Sequence, residues 1–191
     1  IAVEIDRKLI HILKDNLSNW NNIEIINNDI LKTDVNELIN KEEGYKNVRI
    51  IGNLPYYITT PIIMKLLEDK VKVDSITVMM QKEVAQRIAA TPGKKECGAI
   101  TYAVNYYSSV NNICNVSKNV FYPAPKVDST VLRLDIHKSK VYDVKNEVVF
   151  FNCIKAGFGQ RRKTLLNSLS SLDNYSKEEI KKALEEAEID A

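Results

Sequence analysis

Histidine is nearly missing from this sequence, with only His11 and His137 in 191 residues, so chemistry built on imidazole has little to draw on. His11, on an amphipathic stretch, reads as a structural or surface residue. Cysteine is scarce as well. Cys97, Cys114 and Cys153 are odd in number, far apart and without C-x-x-C spacing, which supports neither a disulfide framework nor a zinc site. They read as free buried thiols, and no metal is expected. Long hydrophobic runs are absent: nothing approaches the roughly 20 apolar residues of a bilayer span, and the opening IAVEIDRKLI has the features of neither a signal nor a transit peptide. A cytoplasmic protein without membrane contact is the expectation. Internal repeats and low-complexity segments are lacking too. The excess of charge is small, 27 Lys and Arg against 25 Asp and Glu, too small for bulk electrostatics to announce a nucleic-acid partner.

What is present suffices for a packed core. A chain with 45% hydrophobic and 27% charged residues excludes a disordered or collagen-like molecule, and 191 residues hold one domain, or one domain and a small appendage. The first residue is Ile1, not Met, and the next already read as a strand, so the chain reads as a piece of a longer protein. Charge is unevenly placed: residues 118–163 carry ten Lys or Arg against four Asp or Glu, while the tail after Ser176 is acidic on balance. That asymmetry favours a polyanion contact in the last third, with an ordinary solvated basic surface as the equal alternative.

Apolar runs closed by turn formers predict short strands at 1–5, 23–26, 48–51 and 75–80, and helical spacing predicts helices over 7–20, 33–39, 59–68 and 82–90. Strands alternating with helices imply a doubly wound α/β sheet. After Cys97 a helix from Ala99 to about Tyr106 leads into a β stretch through Val116, a proline turn and an alternating strand over Ser129 to Ile136, which together suggest an antiparallel hairpin at the sheet edge. Residues 138–142 read as a linker, separating a domain over 1–137 from a small all-helical unit over 143–191. Helices are predicted there over 145–158, 161–171 and 176–188, the last opened by the capping box Ser176-x-x-Glu179.

In doubly wound sheets ligands bind at the carboxyl ends of the strands, so polar residues there are the first candidates. Glu4 suits the two hydroxyls of a ribose, with a plain strand-end or capping carboxylate as the alternative and Asp6 competing for the cap. Asp29, after the second strand, suits an adenine amino group or simply a turn. Asn53-Leu54-Pro55-Tyr56 is more informative. It can be only a turn, but methylation of an exocyclic base amine gives each residue a task. The amine's lone pair is delocalised into the ring, and it becomes nucleophilic when two fixed oxygens accept its hydrogens. The Asn53 side-chain carbonyl and the Leu54 main-chain carbonyl supply such oxygens, Pro55 stiffens the loop, and Tyr56 stacks on an extruded base. No general base is required early, because the amine becomes acidic only as the methyl group arrives.

Asn-Leu-Pro-Tyr after a strand, then Met80-Gln81-Lys82-Glu83-Val84-Ala85-Gln86-Arg87, then Phe121-Tyr122-Pro123-Ala124-Pro125-Lys126-Val127-Asp128-Ser129, then Phe158-Gly159-Gln160-Arg161-Arg162-Lys163-Thr164-Leu165 stand in fixed order. Together they resemble the small-subunit ribosomal RNA adenine dimethyltransferases, the kasugamycin-sensitivity family, across essentially the whole chain. The resemblance implies a Rossmann-like, class I S-adenosylmethionine-dependent methyltransferase sheet with a C-terminal helical domain. It also implies dimethylation of N6 on two adjacent adenines in a hairpin near the 3′ end of small-subunit rRNA, a role in small-subunit biogenesis, the pre-30S particle as partner, and a monomer. By position it places Glu4 with Ile5 and Asp29 with Ile30 at the cofactor, Asn53 between cofactor and target base, Leu54, Pro55 and Tyr56 in the catalytic loop, Phe121 against the flipped base, and Arg161, Arg162 and Lys163 at the start of a helix on RNA phosphates. A core aromatic is the alternative for Phe121, a solvated helix face for the basic triplet.

The family's first strand and its glycine-rich loop belong upstream of Ile1. A gap is therefore expected between the strands ending at Glu4 and Asn53, and this stretch by itself is expected to show no measurable binding of S-adenosylmethionine. Two other functions compete: a macrolide-resistance type large-subunit rRNA adenine methyltransferase, and a non-catalytic RNA-binding assembly factor.

Overall fold

The computed structural model describes residues 1–41, 46–160 and 162–190. The order is β1 (Ala2–Glu4), α1 (Arg7–Asn16), β2 (Ile25–Asn27), α2 (Val35–Asn40), β3 (Arg49–Asn53), α3 (Thr59–Glu68), β4 (Ser75–Gln81), α4 (Lys82–Ile88), α5 (Ala99–Tyr107), β5 (Ser108–Val116), β6 (Ser129–Ile136), α6 (Glu147–Gly159), α7 (Leu165–Leu169) and α8 (Lys177–Glu186). The strands form two groups: parallel β1 and β2, and a four-stranded sheet in the order β3-β4-β6-β5. Among the described residues no ladder joins β1 to β3, the position where the gap was expected. β3 and β4 run parallel, while β6 is antiparallel to both β4 and β5, so the closing hairpin lies at the edge as its alternation predicted.

β4 organises the core. Its Ile76, Val78 and Met80 are buried on one face, level with Leu134 and Leu132 of β6, and pack under Ile62, Ile63, Leu66 and Leu67 of α3, Ala85 and Ile88 of α4 and Val104 of α5. Period-2 alternation sends Arg49, Ile51 and Asn53 of β3 to the opposite face, where Ile51 is 83% exposed. Ile30, Leu31 and Val35 tie the β1-β2 unit to this core. Among the described residues no helix is long and apolar enough to cross a membrane.

Several boundaries differ from the sequence pattern because polar side chains take over the backbone. The first helix ends at Asn16 rather than Trp20: Leu17 closes it, and the Ser18 hydroxyl donates to the Asp15 carbonyl at 2.9 Å. Asp34 caps α2 by accepting from Glu37 N–H at 3.0 Å, which moves its start from Thr33 to Val35. Asn146 caps α6 through Val149 N–H at 3.1 Å, and Thr164 caps α7 through Asn167 N–H at 3.3 Å. Arg162 and Lys163 therefore lie in the turn before α7 rather than in a helix; Arg161 falls outside the described residues. The cysteines correct a second expectation. Cys114 is exposed, beside a bulge in the edge strand β5, and Cys97 and Cys153 are only half-buried.

Candidate active site

The motif after β3 is built around one close approach. Leu54 folds back into the core against Gly52, where a Cβ would sit 3.0 Å from Leu54 Cδ2 and 3.2 Å from Cγ. Glycine at position 52 thus leaves room for Leu54, and Leu54 in turn anchors the loop. The Pro55 carbonyl accepts from Ile58 N–H at 3.1 Å and from the Thr59 hydroxyl at 3.0 Å, joining the loop to the first turn of α3. Tyr56 Oη lies 2.8 Å from Ser129 Oγ at the start of β6. Ser129 is level with Gln81, on the face that carries Asn53, and is fully buried. Leu54, Pro55 and Tyr56 are therefore each pinned, and Asn53, at the carboxyl end of β3, is exposed. Among the described residues neither the Asn53 side chain nor the Leu54 carbonyl makes a hydrogen bond. The result is two vacant acceptor oxygens on adjacent residues, held by fixed neighbours.

Glu4 ends β1, where its Oε1 accepts from Asp6 N–H at 2.8 Å. Asp6 takes the helix cap, accepting from Lys8 N–H at 2.8 Å, so Glu4 is not the cap and keeps its second carboxylate oxygen. Asn27 Nδ2 donates to the Glu4 carbonyl at 2.9 Å and to the Ile5 carbonyl at 3.2 Å, which holds the ends of β1 and β2 together. The Ile5 side chain is exposed. Asp29 follows in a tight turn, Oδ1 accepting from Leu31 N–H at 2.9 Å and its carbonyl from the Thr33 hydroxyl at 2.8 Å. Glu4 and Asp29 each retain one carboxylate oxygen for a ligand's hydroxyl or amino hydrogens, which fits the donor groups of an adenosine.

Phe121 is half-buried at the end of a short 3-10 turn, Lys118–Val120, in the loop between β5 and β6. Asp128 closes that loop, its carboxylate accepting from Lys118 N–H and its carbonyl from Lys82 N–H, each at 3.0 Å. The loop is thereby fixed to the start of α4, and Tyr122 beside Phe121 is fully exposed. Arg162 and Lys163 are exposed on the helical unit, remote in sequence from the loop after β3. Three contributors escaped the sequence reading: Gly52, Ser129 and Asn27. Gly52 directly before Asn53 was the one legible signal, since an isolated glycine at a strand end often marks a close approach.

The family model for "Ribosomal RNA adenine dimethylase" matches residues 1–191. Relatives include the "Ribosomal RNA small subunit methyltransferase A" of Clostridioides difficile, 51% identical over 190 residues, covering 100% of this chain and 66% of that protein. The protein of the same name from Alkaliphilus oremlandii is 53% identical over 173 residues, covering 91% of this chain and 60% of its own length. The chain thus spans somewhat less than two thirds of these relatives. Among solved structures, a dimethyladenosine transferase from Plasmodium falciparum superposes with a TM-score of 0.72 at 26% identity, covering 99% of this chain and 66% of that one. The 23S rRNA methyltransferase ErmE superposes with a TM-score of 0.66 at 24% identity, covering 98% and 72%, a likeness of fold alone.

Proposed function

The chain belongs to the ribosomal RNA adenine dimethylase family, and on that premise we propose that it forms the catalytic part of an enzyme that dimethylates N6 of two adjacent adenines in small-subunit rRNA, acting in the cytoplasm on the pre-30S particle. The observation that carries this reading is the pair of vacant oxygens, the Asn53 amide and the Leu54 carbonyl, at the carboxyl end of β3. The small-subunit names of the relatives favour it over the large-subunit alternative, and the intact 53–56 loop favours it over a non-catalytic assembly factor. We also infer a division into a methyltransferase domain over 1–137 and a helical domain over 143–191.

S-adenosylmethionine, when bound, supplies an electrophilic methyl group. Glu4, with Ile5 beside it, would hold the ribose hydroxyls, and Asp29 with Ile30 the adenine end. The chain's own work lies in presenting the acceptor. The Asn53 and Leu54 oxygens accept the two N6 hydrogens, which draws the lone pair out of conjugation and toward the transferring carbon. Preorganised dipoles of this kind act without reorganising during the reaction. Pro55 keeps the two oxygens from turning away, and the rings of Tyr56 and Phe121 stack against the extruded base. The nitrogen sheds a proton to solvent only after it gains the methyl group. After one transfer a single N6 hydrogen remains, so the second transfer uses one of the two oxygens. Arg162 and Lys163, with Arg161, offer charge to the RNA backbone.

Asn53→Ala tests the proposal. Because Asn53 is exposed and unbonded, the fold and the affinity for rRNA should be unchanged, while kcat should fall about 10²-fold or more. Turnover within twofold of the parent would remove Asn53 from the mechanism.

A further inference from the structure

The edge strand β5 does not keep its alternation. Asn112 stands opposite Leu132 and Asn115 opposite Thr130, because a bulge between Asn112 and Cys114 inserts one residue. Three residues apart in a regular strand, the two asparagines would point to opposite faces. The bulge brings both to the face of Thr130 and Leu132, against which α4 packs. There they line a cavity of about 300 Å³, walled on its other side by Lys82 and Gln86 of α4. Two small residues a helical turn apart, Ala85 and Ala89, leave the space open.

The hydrogen-bonding groups of this cavity are vacant. The buried Thr130 hydroxyl donates to Asn115 Oδ1 at 2.9 Å, which leaves Asn115 Nδ2 free to donate to a ligand. Among the described residues the side chains of Lys82, Gln86 and Asn112 have neither a hydrogen-bond nor an ion-pair partner. No carboxylate lines the cavity, which disfavours a cation, and its amides offer carbonyl oxygens beside N–H groups, whereas a phosphate uses donors alone. Donors and acceptors set around an apolar floor, Leu132, match the edge and the face of a nucleobase. The volume stands at the small end of the roughly 300–1,000 Å³ of small-ligand sites, room for a base and not for a folded segment.

The place of the cavity in the fold says which base. Lys82 follows Gln81, which is level with Ser129, and Lys82 N–H donates to the Asp128 carbonyl at 3.0 Å, at the foot of the loop that carries Phe121. Ser129 meets Tyr56 on the Asn53 face, and the next residue, Thr130, faces the cavity, so the two sites stand back to back across the start of β6. Resting on the function proposed above, we propose that the cavity takes the base of an unpaired nucleotide flanking the adenine pair in the target hairpin loop. Extrusion of an adenine removes a stacking partner from its neighbours, and the amides of Asn112, Asn115 and Gln86 with Lys82 then hold the edge of the flanking base. The site reads loop sequence through affinity and touches neither N6 nor the methyl donor.

The test measures, by fluorescence anisotropy, binding of the target hairpin and of a series in which each loop base other than the two adenines is removed in turn, ribose and phosphate being kept. One position beside the adenine pair should weaken binding to the parent about tenfold or more when its base is lost. The Asn112→Ala/Asn115→Ala variant, altered at exposed positions of the edge strand, should bind the intact hairpin as weakly as the parent binds that abasic one, and lose less than about twofold more when the base is removed. Gln86→Ala, on the helical wall, should reduce the same penalty. Asn111→Ala is the control: its side chain lies on the other face, donating to Asp135 at 2.7 Å, and the parent's whole profile should persist. Loop bases that can all be removed without loss in the parent overturn the proposal, as does a penalty that survives in the double variant or vanishes equally in the control. A parent that shows the base-dependent binding but transfers no methyl group, even in a form that binds the donor, refutes the reaction and leaves the cavity standing.

Discussion

Tyr56→Phe separates two roles carried by one side chain. The ring is available for stacking on a base, whereas the hydroxyl is spent on Ser129 Oγ at 2.8 Å. Ser129 is fully buried, so removal of the phenol oxygen strands its hydroxyl away from water. A lost hydrogen bond together with a stranded buried hydroxyl costs about 1–2 kcal/mol, or about 2–6 °C in Tm for a chain of this size. Ser129→Ala leaves the Tyr56 hydroxyl unpaired at a half-buried position that water reaches, and costs less. The double variant removes both partners and should be no less stable than Tyr56→Phe alone, a coupling of about 1 kcal/mol. Urea unfolding of the four proteins measures that coupling. For methyl transfer, Tyr56→Phe keeps the ring and should lose only a few-fold, whereas Tyr56→Ala forfeits stacking worth about 1–3 kcal/mol, roughly 10- to 100-fold. Additive stabilities would refute the role assigned to Ser129, and equal loss of transfer in the Phe and Ala variants would place the phenol oxygen, not the ring, at the substrate.

Gly52→Ala puts a methyl group 3.0 Å from Leu54 Cδ2, so Leu54 must shift; stability should fall by about 1–3 kcal/mol and kcat several-fold with rRNA affinity kept, and unchanged kcat would show that the Leu54 carbonyl tolerates displacement. Ser176→Ala removes the hydroxyl half of a reciprocal capping box, in which the Glu179 carboxylate accepts from Ser176 N–H at 2.8 Å and Ser176 Oγ from Glu179 N–H at 3.2 Å, and should lower Tm by about 2–4 °C. The Glu179 carboxyl is held below its ordinary range first by the backbone N–H of Ser176 and then by the Ser176 hydroxyl, so it should move only part of the way back in the same variant, which keeps that N–H, read by NMR titration. Glu147 is likewise held below the ordinary value near 4.5, chiefly by the Lys70 hydrogen bond and against the opposing effect of its burial. Its contribution to stability is therefore complete above that value and vanishes as pH falls through the depressed pKa. Lys70→Met should flatten that acid limb of the unfolding midpoint, and an unaltered limb would assign acid sensitivity to other carboxylates.

Local chemistry was legible in the sequence wherever neighbours along the chain decide the outcome. The α3 helix spans Thr59–Glu68 as its spacing predicts, the Ser176-x-x-Glu179 box caps α8, and the alternation of Ser129 to Ile136 is the strand β6. The motif order pointed to a methyltransferase sheet, and an Asn-Leu-Pro-Tyr loop directly after a strand is a matter of adjacency. Helix ends were less legible, because Asp34, Asn146 and Thr164 compete locally with the apolar period for the first turn. Tertiary structure alone decided which distant side chains meet. Ser129 reaches Tyr56 across 73 residues and Lys70 reaches Glu147 across 77, and both pairings depend on strand register and helix rotation that no local pattern encodes. The same holds for Cys114: a thiol expected to be buried is exposed because β5 is the edge strand and carries a bulge. Period-2 alternation says that Asn53 and Leu54 lie on opposite faces, but only the packing of helices α3 to α5 against one face covers much of Leu54 and leaves the Asn53 amide open to a ligand.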